Sequence, residues 1–412
     1  MNNLITFIKK YWWIILLGFL VKSIIASVTY HVDVRVINLT SFIMLEKNDF
    51  NPYEYMRDSN FFEHPGDEQP DDLPLQYLIH LPIDFLTRPL INQNSEMNFF
   101  LRADKILGSF ELFKHLFLIK LPLVLFDLSL GIVLAFSVSE KKRLIALIIW
   151  ILNPVSLWAT EGVGQVDIFP TFFLSLSYFL LVRKKMEFSA LSLGTAAALK
   201  SFPFLIAPFL ILMGKTFWDK VKLAILIAVP YVISILPYIN SPAFKEDALF
   251  APQMDKILYA KIYLSGGEVI IISVAILFVL YFYYFQKSKN AFNFLTFSFT
   301  SLLLILAVSH FHMQWLLWLT PFLIILLLER SSVFLRLGAL GIGLSALGML
   351  FLFDPTLQFQ LFAPVFPSLV SAKGLDAILN TDQLFLTRSL LATVFAASSI
   401  YLSVNLLFKN DE

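Results

Sequence analysis

The sequence predicts an all-α polytopic membrane protein with about 11 to 13 transmembrane helices. Of its 412 residues, 58% are hydrophobic and only 15% are charged, whereas soluble domains carry about 25% charged residues. The mean hydropathy is +0.75. Apolar runs of about 18 residues, long enough to cross a bilayer, recur along the chain. We therefore expect a single integral membrane domain over 1–412.

The first apolar run, 11–28, follows two lysines and lacks a small-residue cleavage site after it, which favours a retained helix over a signal peptide. The run 187–213 is too long for one span. It contains Pro203 and Pro208, which interrupt helices, so we expect a broken helix or a helical hairpin there. The other predicted spans are 116–138, 144–160, 166–182, 221–239, 267–286, 291–309, 313–328, 334–353 and 385–407.

Basic residues set the predicted orientation, because short cytoplasmic loops carry an excess of Lys and Arg. Basic clusters at 141–143, 183–185, 215–222, 287–289 and 330–336 all fall on the side of Lys9. The short connections around 158–166 and 310–312 contain no Lys or Arg. We expect both termini in the cytoplasm and the opposite connections on the periplasmic, extracellular or ER-luminal face.

Three longer polar stretches, 30–112, 240–266 and 354–384, then lie on this exoplasmic face. The first contains apolar segments at 36–45, 73–87 and 97–119 that are too short or too interrupted to span, so they predict helices lying along the interface. Asp71 and Asp72 form an acidic pair within it, and their proline-rich acidic surroundings indicate a surface loop.

Composition excludes several kinds of function. With 31 basic and 30 acidic residues, the net charge of +1 provides no electrostatic footprint for nucleic acid. The chain has no cysteine, which excludes thiolate nucleophiles and cysteine-ligated metals. Phosphate-binding loops, dinucleotide fingerprints, serine elbows and zinc-protease motifs are missing from the sequence. We expect no cofactor and no metal, with chemistry carried by carboxylates, His and Lys.

Ionisable residues in or beside membrane spans are costly and therefore few. Asp33 lies just beyond the first span, where it is a candidate base or a solvated carboxylate paired with Arg35. Asp127 lies in the middle of an apolar run, where it is a candidate for helix-to-helix pairing. Glu161 lies beside the next exoplasmic turn.

Three more candidates follow along the chain. Gln165 and Asp167 lie in a glycine-bearing turn before a helix, where Asp167 either serves the site or caps the helix. Lys200 precedes the break in the long run, where its ammonium either meets an anion or snorkels to the interface.

His310 and His312 form a pair at another exoplasmic helix boundary, followed by Gln314. Two histidines alone do not define a metal site. However, these residues share one membrane face with Asp33, Asp167 and Lys200 under a topology derived from other residues. We therefore predict a cavity on that face for a polar, anionic, lipid-associated substrate.

The order of these motifs resembles the GT-C glycosyltransferases, and among them the PIG-M-like and related mannosyltransferases. The resemblance covers most of the chain and rests on Asp33, on Asn51-Pro52-Tyr53 with Leu73-Pro74-Leu75, and on later segments in the expected order. Those later segments are Asp127, Asn153-Pro154 with Gly164-Gln165-Val166-Asp167, Lys200 with its prolines, and His310 to Trp315. The chain departs from the family in having no second acid beside Asp33.

The resemblance implies an inverting transfer of a sugar, mannose in the related enzymes, from a polyprenyl-phosphate donor to a hydroxyl acceptor, with Asp33 as the base. Lys200, His310, His312, Arg35, Gln165 and Asp167 would bind the donor phosphate or sugar, and Asp127, Glu161, Tyr53 and Gln314 would support the site. The expected partners are that donor, a lipid or glycan acceptor, membrane lipids and an unidentified accessory subunit.

Two other readings remain open at this point. The chain is alternatively a transporter or flippase of a polar lipid, with Asp127 and Lys200 paired along a pathway. A third interpretation is an accessory subunit with a decayed site.

Overall fold

The computed structural model describes residues 2–59, 70–101, 103–310, 312–330 and 332–408. The protein is an all-α polytopic membrane protein. Seven helices in these ranges are long and apolar enough to cross a membrane. They are Asn3–Val28, Phe110–Ser137, Glu140–Val163, Phe217–Tyr238, Ala291–Val308, Val333–Phe351 and Thr381–Phe408. Shorter apolar helices lie between them at Ile168–Val182, Met186–Leu199, Ile272–Gln286 and Met313–Glu329.

The α-helices are labelled in chain order. They are α1 Asn2–Val28, α2 Asp33–Glu46, α3 Pro52–Ser59, α4 Pro74–Leu78, α5 Leu81–Thr87, α6 Gln93–Leu101, α7 Phe110–Ser137, α8 Arg143–Ile151, α9 Pro154–Ser156, α10 Ile168–Val182, α11 Met186–Leu199, α12 Ala207–Ile211, α13 Phe217–Ile235, α14 Pro242–Phe244, α15 Ile272–Gln286, α16 Ala291–Val308, α17 Thr320–Glu329, α18 Val333–Phe351 and α19 Thr381–Phe408.

Short 3-10 and π segments join them. The 3-10 segments are Arg88–Leu90, Ala103–Ile106, Glu140–Lys142, Phe202–Leu205, Leu236–Tyr238, Pro252–Leu258, Met313–Trp318, Pro355–Leu357, Phe359–Phe362, Pro367–Ser371 and Leu375–Ile378. The π segments are Leu157–Val163 and Lys245–Leu249. A small antiparallel hairpin pairs β1, Lys261–Tyr263, with β2, Val269–Ile271.

Polar side chains mark where several helices begin. The Ser109 hydroxyl accepts a hydrogen bond from the Leu112 amide at the start of α7. Thr216 and Asp219 form a reciprocal capping box at the start of α13. Each cap satisfies backbone donors that the first turn leaves without a partner, so these polar residues fix the helix starts within an otherwise uniform apolar sequence.

The helices α7 and α16 form the interior of the bundle. In an 18-residue apolar stretch of each, 61% and 67% of the residues are buried, compared with 17% for α1. The helix α10 packs against α11 and α7, and α11 packs against α13. At the last contact, a Cβ on Gly194 would lie 2.3 Å from the Ile227 carbonyl oxygen, so glycine permits the close approach of α11 and α13. Outer helices leave large apolar side chains exposed, such as Trp218 and Ile233 on α13.

Two predicted boundaries need correction. The helix α7 begins at Phe110, so the stretch predicted as 30–112 ends at Ser109. The polar residues of its first turns are paired within the fold, since Glu111 contacts Lys114 at 2.7 Å and His115 contacts Asn38 at 3.0 Å. The predicted span 267–286 is a helix only from Ile272, because 269–271 form β2.

The break predicted in the run 187–213 is confirmed. The helix α11 ends at Leu199, and Lys200 has extended dihedrals, φ −154° and ψ 139°. A 3-10 segment containing Pro203 follows, and α12 begins after it with Pro208 in its first turn. Since proline at the first turn lacks only a hydrogen bond that the helix end would leave unmade, the two prolines divide the run and place Lys200 in the connection.

Candidate functional site

A cavity of about 1010 Å³ forms where connections between helices meet. Its walls come from the start of α2, the segment before α4, the turn before α10, the break after α11, the π segment Lys245–Leu249, the segment Met313–Trp318 and residues 353–357. Five of the predicted site residues line this cavity: Asp33, Gln165, Lys200, His312 and Gln314. The prediction that residues far apart in sequence share one cavity is confirmed for these five.

Asp33 is the first residue of α2, and its carboxylate faces the cavity. The Nδ1 atom of His31 lies 3.0 Å from Asp33 Oδ1, and the side-chain amide of Gln165 donates a hydrogen bond to Oδ2. The side chain of Asp33 keeps about a third of its surface exposed, 31%. The carboxylate is therefore held on two sides and open on a third.

Gln165 reaches Asp33 because the chain turns sharply after the π segment Leu157–Val163. Gly164, the next residue, has φ +87° and ψ 34°, in the left-handed region that favours glycine. A Cβ at this position would lie 2.3 Å from Val34 Cγ2. Gly164 thus permits both the turn and the close approach of α2.

Lys120 stabilises this turn through hydrogen bonds to its backbone, although the sequence pattern did not indicate such a role. Its ammonium, fully buried on α7, donates to the carbonyl oxygens of Glu161 at 2.9 Å and Gly162 at 3.0 Å. It also donates to the Thr29 carbonyl oxygen at 2.8 Å, at the end of α1. One lysine therefore joins the two chain segments that lead to Asp33 and to Gln165.

Lys200 lies between two carboxylates. Its Nζ atom is 3.0 Å from Asp167 Oδ1 and 3.9 Å from Asp72 Oδ1. Burial alone would lower the pKa of Lys200, but the attraction of Asp167 and Asp72 outweighs it and raises the pKa. Lys200 is therefore a fixed cation in the cavity wall.

Asp167 is fully buried and does not line the cavity. Its carboxylate makes no capping bond to α10, so the capping alternative is wrong. Instead, Asp167 Oδ1 accepts a hydrogen bond from Trp318 Nε1 at 2.7 Å and contacts Lys200. Asp167 positions two groups that do line the cavity.

Asp71 and Asp72 were predicted to lie in a surface loop. The structure corrects this prediction, because both residues line the cavity. The Tyr53 hydroxyl donates to the Asp72 carbonyl oxygen at 2.7 Å, and the Asp72 amide donates to the Tyr77 hydroxyl at 3.1 Å. Burial raises the pKa of the Asp72 carboxyl to about 7 even though Lys200 opposes the shift. A local acidic, proline-rich pattern does not reveal these tyrosine contacts.

His312 lies at the cavity wall, with its Nε2 atom 2.6 Å from Lys256 Nζ. Loss of hydration and the nearby charge of Lys256 lower the pKa of His312 to about 4, so the ring is neutral near pH 7 and accepts this hydrogen bond. Lys256 is thus a second cation beside the cavity that the sequence analysis missed. His310 does not line the cavity, although its ring centroid lies 6.3 Å from that of His312.

Aromatic rings form one wall. Phe202 and Trp318 stack with ring centroids 3.8 Å apart and an interplanar angle of 5°. Trp318 also stacks on Trp315, at 4.9 Å and 17°. All three line the cavity. The wall therefore combines flat apolar surfaces with the ammonium of Lys200, which lies 6.0 Å from the Trp318 ring centroid.

Two other predicted site residues lie outside the cavity. Arg35 Nη1 donates to the Phe100 carbonyl oxygen at 3.4 Å, on the side of α6. Tyr53 is fully buried among Tyr77, Tyr238 and Phe244, and its hydroxyl contacts the backbone of Asp72, which lines the cavity. Neither residue therefore joins the predicted site residues that line the cavity.

Asp127 and Glu161 belong to a separate buried group that does not line the cavity. Lys22 Nζ lies 3.1 Å from Asp127 Oδ2 and 3.3 Å from Glu161 Oε2, and none of the three side chains is exposed. The Ser156 hydroxyl donates to Asp127, and so does Trp150 Nε1, at 2.6 Å. The Asp127–Lys200 pairing expected for a transport pathway does not occur, because Lys22 pairs with Asp127.

Within the described ranges, no group of three or more His, Asp or Glu side chains could hold a metal ion. No family model, no curated protein and no solved structure matches this chain significantly.

Proposed function

We propose that this protein is a membrane glycosyltransferase that moves a sugar, mannose in our leading version, from a polyprenyl-phosphate donor to a hydroxyl acceptor. The observation that carries the proposal is the placement of Asp33 and Lys200 in the walls of one cavity. A carboxylate held by His31 and Gln165 is suited to take a proton, and a fixed ammonium is suited to receive a phosphate.

The proposed reaction is a direct displacement. Asp33 takes the proton of the acceptor hydroxyl, and the acceptor oxygen forms a bond to the anomeric carbon of the donor sugar. The bond between that carbon and the phosphate oxygen breaks, and its electron pair leaves with polyprenyl phosphate. A single displacement inverts the configuration at the anomeric carbon.

Positive charge would stabilise the leaving phosphate as it gains charge. Lys200 offers an ammonium inside the cavity, and Lys256 offers another through its contact with His312. The apolar part of the cavity wall, with Leu302, Ile305 and Leu306 of α16, suits the first part of a prenyl chain. A donor with an anionic head and an apolar tail matches both halves of this wall.

The resemblance to GT-C glycosyltransferases supports the same assignment and adds the exoplasmic face as the side of the reaction. Asp33, Gln165, Lys200 and His312 are among the motif residues that line the cavity together. Asp72 supplies a second acid close enough to influence the site. The acid missing beside Asp33 in sequence thus has a counterpart in space.

The decisive experiment follows radiolabelled mannose from polyprenyl-phosphate mannose into a lipid extract of the native membranes, with purified protein in liposomes. Asp33→Asn should reduce transfer by roughly 10²- to 10⁴-fold, the usual contribution of a general base. Asp58→Asn, which removes an exposed carboxylate outside the cavity, is the matched control and should retain full transfer.

Two results would count against the proposal. Undiminished turnover by Asp33→Asn would exclude Asp33 as the base. If the native protein transfers no hexose from any polyprenyl-phosphate donor to the lipid extract, the glycosyltransferase assignment itself fails.

A further inference from the structure

Asp72 presents a carboxylate that the fold holds firmly but leaves open to ligands. Its backbone is fixed on both sides by the hydroxyls of Tyr53 and Tyr77, which are 0% and 2% exposed. The two tyrosine rings pack edge to face at 6.1 Å. Such a clamp removes the conformational freedom that a loop aspartate would otherwise lose on binding a ligand.

The carboxylate itself has few partners in the fold. Among the described residues it accepts no hydrogen bond, and its one charged contact within 4 Å is Lys200 at 3.9 Å, beyond hydrogen-bonding distance. Lys200 already has a closer carboxylate partner in Asp167, at 3.0 Å. The carboxylate of Asp72 therefore keeps its accepting capacity toward the cavity.

Neighbouring groups define what this acceptor fits. Lys200 provides donors next to it, and Trp318 and Phe202 provide flat apolar surface in the same wall. A pyranose ring carries adjacent hydroxyls that both donate and accept hydrogen bonds, and its C–H faces are apolar. The phosphodiester of the proposed donor offers acceptors only, and inorganic phosphate near pH 8 keeps a single O–H group, so a phosphate alone would bind Lys200 but gain little from a carboxylate.

We infer that Asp72 is the sugar-recognising residue of the cavity: it accepts hydrogen bonds from hydroxyls of the hexose that is linked to the phosphate bound by Lys200. The inference rests on the proposed function, since it assigns the sugar part of the proposed donor. It divides the head group between two residues, with Asp72 binding the sugar and Lys200 binding the phosphate.

The test compares two soluble probes, mannose 1-phosphate and inorganic phosphate, on the purified full chain in detergent at about pH 8, where the Asp72 carboxyl is mostly ionised. Binding is followed by tryptophan fluorescence, because Trp315 and Trp318 lie in the cavity wall. Asp72→Asn should weaken mannose 1-phosphate roughly 10-fold or more, the usual effect of a lost hydrogen bond to a charged group. It should leave phosphate affinity unchanged or higher, because a negative charge is removed.

Lys200→Met should weaken both probes, and Asp58→Asn should weaken neither. Asp72→Glu, which keeps the charge, guards against misfolding of the asparagine variant and should retain a preference for the sugar phosphate over phosphate. Equal effects of Asp72→Asn on both probes, or equal affinity of the native protein for both, would overturn the inference. The proposed function fails separately, if sugar preference is intact but no mannose is transferred.

Discussion

Gln165 donates a hydrogen bond to the carboxylate of Asp33 across 132 residues of sequence. This contact links the turn before α10 to the start of α2, and it holds one carboxylate oxygen while the rest of the carboxylate faces the cavity. The orientation of the proposed base thus depends on a residue that has no charge of its own.

Replacing Gln165 with Leu should therefore lower the transfer rate roughly 10- to 100-fold, because small misplacement of a reacting group is costly. The variant should fold normally, since the amide lies at a cavity wall. Steady-state transfer of labelled mannose measures the effect. Gln286→Leu, at the exposed end of α15, is the control; a loss of the same size there would refute the argument.

Gly164→Ala should destabilise the protein and misplace Gln165. The added Cβ would meet Val34 Cγ2 at 2.3 Å, and φ is +87°, so about 1–3 kcal/mol of strain is expected. Thermal unfolding in detergent measures this loss. Gly343→Ala is the matched control because a Cβ there meets nothing within 4 Å in the middle of α18; it should leave the protein as stable or slightly more stable.

The buried ion group of α1, α7 and the segment after α9 should be strongly sensitive to its cation. Lys22→Met would leave Asp127 and Glu161 facing each other without a counter-charge, and removing one partner of a buried pair costs about 3–5 kcal/mol. The thermal midpoint should therefore fall sharply.

The exposed pair Lys222–Glu187 provides the comparison for Lys22→Met, since both of its side chains are more than half exposed. Lys222→Met should hardly move the midpoint because surface pairs contribute little. If the two variants unfold at the same temperature, the buried group is not important for stability.

Asp72 should make stability depend on pH in a defined direction. Burial raises the pKa of the Asp72 carboxyl from 3.8 to about 7, so the folded state binds this proton more tightly than the unfolded state. Its contribution to stability is complete below about pH 4 and is lost as the pH rises through about 7.

Asp72→Asn should consequently gain thermal stability over the native protein between about pH 4 and 7, with a constant difference above that range. Melting curves of both proteins across this range measure the difference, and the other titrating groups largely cancel in the comparison. A difference that does not change with pH would contradict the prediction.

The membrane class of the fold, the break at Lys200 and a shared cavity for Asp33, Gln165, Lys200, His312 and Gln314 could all be predicted from the sequence. These predictions rely on strong signals: long apolar runs, prolines, and the rarity of polar residues in spans. Lys22 and Lys120 are also rare charged residues within apolar runs. Lys22 pairs with an acid of a distant helix, and Lys120 donates to backbone carbonyl oxygens, so the sequence does not reveal their partners.

Asp72 could not be predicted, because its role depends on contacts rather than on composition. Its local sequence is acidic and rich in proline, which usually indicates a solvated loop. Two tyrosines, 19 residues before it and 5 residues after it, fix its backbone. His310 and His312 show a second limit of sequence analysis. Both were predicted to lie in the site, but His312 lines the cavity and His310 does not, and their shared sequence motif gives no sign of this difference.

The proposed exoplasmic side of the cavity can be tested directly because the chain contains no cysteine. The 354–384 stretch lies beside the cavity, since Asp354, Thr356 and Leu357 line it. Ser368 in this stretch and Ser288 in the basic connection between α15 and α16 are both exposed. In intact cells, Ser368→Cys should react with a membrane-impermeant maleimide, whereas Ser288→Cys should react only after the cells are opened. The reverse pattern would place the cavity on the cytoplasmic side and remove polyprenyl-phosphate sugars of the exoplasmic leaflet as donors.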